Sequence, residues 1–343
     1  MTLGLLLLLG SLVPVCCETT AAHGQRRTPH RLSAASRPLI TISAAEWESF
    51  ATEFESLFNH NRQRPSVSGY LHYVRFKCAT LLEEERNAAL LPLLKPYLES
   101  SAAEERFGRA ILIRTRTGVR FRPNPQIPAL GLAPHEAHQS QVLAIIAEAG
   151  LPLSTIIRAD NVNYQLRDVL ADTIANYRLG QTEIEWTAVC VGLYVGATAS
   201  WQNKYNETLD LDCLARDLLS RKVDSSASCA GTHLLFAMVL LDAVNVSERV
   251  LSREVGTRLH DAIDTILWRL RSSQLQDGSW TAAWWHTANN EGRSSTPGSL
   301  LVTGHLGECV VYLSSKHTFP SDALARAGEW AWRELMTLRQ TTS

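Results

Sequence analysis

Three histidines and a tryptophan recur at related positions in this 343-residue sequence. His138, Trp186, His233 and His305 open the apolar segments "HQSQVLAII", "WTAVCVGLY", "HLLFAMVLL" and "HLGECVVYL". The first two intervals between them are nearly equal, and a loop containing "DGSW" lengthens the third. If these segments are repeated helices that close into a ring, their N-terminal ends surround one mouth of that ring. Unpaired N–H groups there favour an anionic or polar ligand, so we assign His138 and Trp186 to ligand binding.

Two carboxylates accompany these side chains. Glu308 follows His305 by three residues on one helical face, and Glu185 directly precedes Trp186. A carboxylate beside an imidazole can tune a general base or supply a second metal ligand. The candidate catalytic residues are therefore His233, His305, Glu308 and Glu185. Helix capping or a buried His–Glu hydrogen bond is the simpler explanation of His305 with Glu308, and the helix dipole alone accounts for Glu185 in a first turn. No metal ligands or cofactor are assigned, because "HEAH" lacks the spacing of the HExxH zinc motif.

The segment "SCAGTH" offers a thiol beside one of these histidines. Cys229 could act as a nucleophile with His233 or His305, but a cysteine four residues from a histidine is common by chance. Thr232 is expected to cap the following helix and is the remaining candidate for ligand contact in this segment. The sequence leaves open whether Cys213 and Cys229 form a disulfide.

The elements that carry these residues are mostly helices. Nearly all-apolar segments alternate with amphipathic ones such as "YQLRDVLADTIANY", which is the pattern of paired inner and outer helices. We predict an all-α fold, an α/α toroid, with an open helical solenoid as the alternative. One exception is a short β-hairpin at 110–123, where apolar residues alternate around a Thr-Gly turn. Helices are expected near 66–80, 83–99, 135–149, 164–178, 184–197, 208–221, 231–243, 248–274, 301–314 and 320–338.

The N-terminus reads as an export signal. Residues 1–17 contain a leucine-rich apolar run and are interpreted as a signal peptide, 18–40 as a flexible linker, and 41–343 as the toroid domain. Within the domain, N-terminal helices at 41–109 precede the hairpin and repeats at 134–340. We expect a periplasmic or extracellular protein, with lipidation at Cys16 as a variant. A net charge of −1 gives no reason to expect nucleic acid, and no transmembrane span is expected after signal removal.

The segment "QLQDGSW" resembles the QW motif of the terpenoid cyclase and protein prenyltransferase superfamily, whose members are α/α toroids. The resemblance implies a structural motif, with Gln274, Asp277, Gly278 and Trp280 forming a clasp at a helix end. Trp284 and Trp285 lie beyond the motif and are the indoles we expect to meet a ligand. The order of the other motifs also resembles uncharacterised exported bacterial proteins of planctomycete type, which implies no activity.

The catalytic motifs of the superfamily are absent from the sequence. The cyclases use an acidic "DxDD"-like element, and "DLDC" at Asp210–Cys213 lacks its last acid. The prenyltransferases hold zinc with an Asp-x-Cys pair, whereas Asp212 and Cys213 are adjacent. We interpret Asp210 or Asp212 as a helix N-cap.

Two functions of different classes follow. The one we favour from sequence is a noncatalytic toroid that binds a small-molecule, glycan or isoprenoid ligand, or acts as a scaffold. The alternative is an acid–base or metal-assisted enzyme, a hydrolase or lyase, acting at the His-lined mouth on an extracytoplasmic glycan or lipid.

Overall fold

The computed structural model describes residues 48–52, 66–80, 83–116, 118–122, 138–196, 199–224, 227–286 and 296–342. The proposed signal peptide and linker therefore lie outside the described residues. The described part is mostly helical, with small antiparallel strand pairs, as the sequence predicts. The helices are α1 (Val67–Thr80), α2 (Glu83–Leu98), α3 (Ser100–Phe107), α4 (Gln141–Glu148), α5 (Leu166–Asn176), α6 (Glu185–Tyr194), α7 (Leu211–Leu219), α8 (Thr232–Glu248), α9 (Arg253–Ser273), α10 (Thr296–Val311) and α11 (Ser321–Thr342).

Three two-stranded pairs interrupt the helices. The predicted hairpin is confirmed: β1 (Leu112–Arg114) pairs antiparallel with β2 (Val119–Phe121), with Ile113 opposite Arg120. Two further pairs were not predicted, β3 (Ile156–Ala159) with β4 (Val162–Gln165) and β5 (Trp201–Gln202) with β6 (Thr208–Leu209). They were missed because they are short and their apolar residues merge into the patterns of neighbouring helices.

Five helices, which we call the central helices, carry the candidate site: α1, α4, α6, α8 and α10. The helix α4 packs against α6, α6 against α8, and α8 against α10, while α1 contacts α4. Every residue of α4 from Gln141 to Ala147 is buried. The same is true of α6 from Glu185 to Gly192 and of α8 from Thr232 to Val244. Helices that are apolar all round belong in a core. The apolar segment Cys229–Glu248 is also long enough to cross a membrane, but 78% of it is buried inside the protein.

The remaining repeat helices cover the central ones from outside. The helix α7 packs on α6 and α8, α9 on α8, and α11 on α10. In α9 the buried residues Val255, Leu259, Ile263, Leu267 and Leu270 form one stripe at helical spacing, so one face meets the core and the other faces solvent. This arrangement matches the alternation of apolar and amphipathic segments in the sequence.

One helix boundary differs from the prediction in a way that matters for the site. The sequence places the start of the last apolar helix near 301, whereas α10 begins at Thr296. "TPGS" resembles a loop, but proline is favoured in the first turn of a helix, where its missing N–H costs nothing. His305 therefore lies in the middle of α10 and not at its N-terminal end.

Candidate functional site

The site is centred on Cys229, in a turn that immediately precedes α8. Cys229 (φ 48°, ψ 45°), Ala230 (φ 57°, ψ 37°) and Gly231 (φ 79°, ψ 0°) are all left-handed. Such a conformation is costly for residues with a Cβ, and it persists only where the surroundings enforce it. A Cβ at Gly231 would lie 2.8 Å from Cγ1 of Val223, so this position requires glycine.

Two hydrogen bonds hold the turn in place. The hydroxyl of Thr232 donates to the carbonyl oxygen of Cys229 at 2.9 Å, and the indole N–H of Trp284 donates to that of Ala230 at 2.9 Å. Thr232 is fully buried. The thiol of Cys229 is thus fixed at the positive end of a seventeen-residue helix, a location that favours a thiolate.

Imidazoles surround this thiol. One ligand atom from each of His138, Cys229 and His233 lies within 4.8 Å of the others. Burial disfavours a charged thiol, but His233 and the hydrogen bonds from His138, His233 and His305 outweigh it, and the pKa of Cys229 is held well below its usual value. Burial likewise opposes a charge on His138, but the hydrogen bonds to Cys229 and Glu183 raise the pKa of His138 to about 10.

The histidines form a continuous row. The ring centroids of His138 and His233 are 4.8 Å apart, those of His233 and His305 5.3 Å, and those of His305 and His72 5.8 Å. Burial lowers the pKa of both His72 and His233. The Nδ1 atoms of His72, His233 and His305 are buried and have no hydrogen-bond partner among the described residues. Unpaired buried nitrogens are expensive unless a ligand or an ion satisfies them.

A carboxylate orients the first imidazole of the row. Oε1 of Glu183 lies 2.9 Å from Nδ1 of His138, which leaves Nε2 of that ring to face Cys229. Glu183 is itself left-handed (φ 54°), as is Ser140 (φ 63°) before α4. The turns that precede α4, α6 and α8 therefore each contain a strained residue, and each turn contributes one member of the group His138, Glu183 and Cys229. Strain of this kind is characteristic of functional sites.

A buried network of charged side chains joins three of the central helices. The guanidinium of Arg75, on α1, bonds Glu148 of α4 at 2.9 Å and also pairs with Glu308 of α10. It stacks over the rings of Trp186 on α6 and Phe236 on α8, at 5.5 Å and 4.8 Å from their centroids. Each of the other four central helices thus contributes one group that contacts Arg75. Burial raises the pKa of Glu148 to about 7 even though Arg75 opposes the rise.

The structure brings together most of the residues named from the sequence. His138, His233 and His305 are in the imidazole row, and the ring of Trp186 lies 5.1 Å from that of His233. Of the four, Trp186 and His233 begin their helices as expected, while His305 reaches the row from the middle of α10.

Two assignments need correction, and one question that the sequence left open is answered. Glu308 does not pair with His305, because its carboxylate is occupied by Arg75. The carboxylate on the row is Glu183 and not Glu185; Glu185 is buried in the first turn of α6, and burial raises its pKa. Cys213 and Cys229 do not form a disulfide.

The tryptophans divide between structure and surface. Trp284 is fully buried with its indole N–H bonded to Ala230, so it supports the Cys229 turn and does not face a ligand. Trp285 is partly exposed and lines a surface pocket of about 720 Å³ that also contains Leu234, Met238 and Arg269. Because Leu234 immediately follows His233 on α8, this pocket lies on another face of that helix.

The "QLQDGSW" segment forms a clasp. The side-chain amide of Gln274 donates to the carbonyl oxygens of Gly278 (2.9 Å) and Ala323 (2.7 Å), joining the end of α9 to α11. Asp277 accepts from the backbone N–H of Ser279, and Trp280 is fully buried, with its indole N–H donating to the carbonyl oxygen of Leu270. Asp210 is the N-cap of α7, accepting from the N–H of Cys213 at 2.7 Å.

From the sequence no site role is assigned to His72, Arg75, Glu148 or Glu183, and Cys229 is ranked low as a nucleophile. "SGYLHYVRFK" and "EIEW" contain three of these residues, but a charged residue in an apolar helix is most often read as its solvent face. The signal available for the first segment was that "SGYLHYVRFK" is itself a largely apolar segment with a histidine, like those that contain His233 and His305. Comparison with protein-family models, curated proteins and solved structures found no match.

Proposed function

We propose that this protein is a metal-dependent enzyme in which His138, Cys229 and His233 hold a divalent transition metal ion. The observation that carries the proposal is the convergence of one thiol and two imidazoles within 4.8 Å from two separate segments of the chain. Thiolate and imidazole together are typical ligands of Zn²⁺. The number of histidines also favours an enzyme over a noncatalytic scaffold. A scaffold has no need for a row of buried imidazoles with unpaired nitrogens.

The residues that contact the three proposed ligands resemble the second coordination shell of a metal site. In metal sites the second nitrogen of a ligating histidine commonly contacts a carboxylate, as Nδ1 of His138 contacts Glu183. The strained Cys229 turn is held by Thr232 and Trp284, which fixes the thiol before any ion arrives. Such preorganisation lowers the cost of assembling the site.

Three protein ligands leave one tetrahedral position for water or substrate, which distinguishes a catalytic zinc site from a closed structural one. A metal ion there would supply a hydroxide at neutral pH. His305 contacts the same thiol and stacks on His72, so it is placed to move a proton at the mouth. Cys229 and His138 are partly exposed, which gives a substrate access.

The reaction class that fits best is hydrolysis, with lyase chemistry as the variant, acting on an extracytoplasmic glycan or lipid. Arg75 and its two carboxylates occupy the space between the central helices, which favours a substrate bound at the mouth over a long isoprenoid threaded inside. The export expected from the N-terminus places that substrate outside the cytoplasm. We also propose that the central helices are the inner ring of an α/α toroid, a reading supported by their common contact with Arg75.

The experiment that tests the proposal measures metal–sulfur coordination. The full-length protein is loaded with Co²⁺, and the thiolate-to-cobalt charge-transfer band is recorded for the wild type, Cys229→Ser and the matched control Cys213→Ser. Cys213 is a partly exposed thiol on α7, outside the row. We expect the band in the wild type and in Cys213→Ser and its loss in Cys229→Ser. Chelator-sensitive hydrolysis of p-nitrophenyl acetate should follow the same pattern.

A second candidate function rests on the same geometry used differently. Cys229, His138 and Glu183 have the order of a nucleophile, a base and an orienting acid. In that case the thiolate attacks an acyl carbon and forms a thioester, while the leaving group departs with a proton from His138. Water then hydrolyses the thioester with His138 as the base, and no metal is needed. Alkylation by iodoacetamide separates the two: rapid modification of Cys229 that Zn²⁺ does not slow supports the covalent mechanism, whereas protection by Zn²⁺ supports the metal site.

A further inference from the structure

A second group of metal-ligand side chains lies at the C-terminal half of α8, away from Cys229. Asp242 of α8, His260 of α9 and His317, in the connection between α10 and α11, each offer one ligand atom within 4.8 Å of the others. Asp242 and His317 are buried, with side-chain exposures of 3% and 0%. His260 is partly exposed at 28%, so a path from solvent to the cluster exists.

The separations within the cluster are those of an ion site. Nε2 of His317 lies 3.2 Å from Oδ2 of Asp242. Two ligand atoms about 2.0 Å from a tetrahedral Zn²⁺ ion are roughly 3.3 Å apart, so the spacing of this hydrogen-bonded pair also fits one edge of a coordination tetrahedron. The ring of His260 stacks on that of His317 with centroids 4.2 Å apart. The buried Nδ1 atom of His260 has no hydrogen-bond partner in the described part of the chain.

The surrounding polar groups again orient the ligands. Oδ1 of Asp264 lies 2.7 Å from Nδ1 of His317, so a carboxylate fixes the ring whose other nitrogen faces Asp242. The hydroxyl of Ser314 donates to Asp242 at 2.7 Å. A carboxylate–histidine–metal arrangement with a supported carboxylate ligand is the usual second shell of zinc sites.

We propose that Asp242, His260 and His317 bind a second divalent transition metal ion, independent of the Cys229 site. The ion would join α8, α9 and the connection that leads into α11. Its ligands are nitrogen and oxygen only, which distinguishes it spectroscopically from the proposed sulfur-containing site. The inference does not depend on the proposed function.

The test uses the full-length Cys229→Ser protein, in which the first site lacks its thiolate. Co²⁺ is titrated in and followed by visible d–d absorption, and Zn²⁺ by its effect on the melting temperature. We expect tight binding without a sulfur charge-transfer band, and a melting temperature that rises with Zn²⁺ concentration. Adding His260→Ala should weaken binding by about tenfold or more and abolish the thermal shift. His286→Ala is the matched control, because its ring is exposed and outside the cluster.

Two results would overturn the proposal: the Cys229→Ser protein binds no Co²⁺, or His260→Ala binds it as tightly as His286→Ala does. If His260→Ala folds poorly, Asp264→Asn replaces it, since this carboxylate is half exposed and contacts His317 from outside. That variant should lose about tenfold in affinity while remaining folded, and an unchanged affinity would again count against the site. A wild type that shows only the sulfur band refutes the second site alone.

Discussion

The indole N–H of Trp284 donates to the carbonyl oxygen of Ala230 at 2.9 Å, across 54 residues of sequence. This bond connects the loop after the "DGSW" clasp to the left-handed turn that presents Cys229. We expect Trp284→Phe to lower the free energy of unfolding by about 1–3 kcal/mol, because it leaves a buried carbonyl unpaired. It should also weaken Co²⁺ binding at Cys229. Trp285→Phe is the control, and equal metal affinities in the two variants would contradict the supporting role.

Gly231 provides a separate test of the turn. Gly231→Ala places a Cβ 2.8 Å from Val223 and in a left-handed conformation, so we expect a loss of about 3 kcal/mol in the free energy of unfolding. Gly150→Ala is matched in φ, at 81°, but its Cβ meets nothing within 4 Å, so it should cost only about 1 kcal/mol. Urea denaturation measures both. Similar losses would mean that Val223 moves aside without cost.

Glu148 should make stability depend on pH. The unfolded chain releases this proton near pH 4.5, whereas burial keeps it on the folded carboxyl up to about pH 7. Between these values the folded state binds more protons than the unfolded state, so stability falls as pH rises and levels off above pH 7. The decline attributable to Glu148 is about 3 kcal/mol. Unfolding by urea across this range should show the decline in the wild type and its absence in Glu148→Gln; superimposable profiles would refute it.

Arg75 should be indispensable only while its partners are charged. Arg75→Met leaves Glu148 and Glu308 buried together without a cation, and we expect a loss of about 3–5 kcal/mol in the free energy of unfolding. The triple variant Arg75→Met, Glu148→Gln, Glu308→Gln removes all three charges and should recover much of that loss. A triple variant as unstable as the single one would show that packing of Arg75 on Trp186 and Phe236, and not charge, dominates.

The sequence could predict which helices pack together, but not the backbone conformation of the turns that precede them. Repeat spacing identified His138, Trp186 and His233, because residues at equal positions of a repeat are brought together by the packing itself. It could not rank Cys229 above chance, since the left-handed turn that points the thiol at the imidazoles depends on Val223 and Trp284, which are distant or unremarkable in sequence. For the same reason Glu183 could not be distinguished from Glu185. Arg75 was missed because its two carboxylates come from helices far along the chain.

The contact between Arg75 and Glu308 joins the first and the last of the central helices. Contacts so distant in sequence form late, because closing a long stretch of chain costs entropy before any interaction offsets it. A nascent chain that ends before α10 therefore holds a buried arginine with only Glu148 to neutralise it. We therefore expect the chain to complete its fold only once α10 is present, and shortened products to be the forms that proteases remove first.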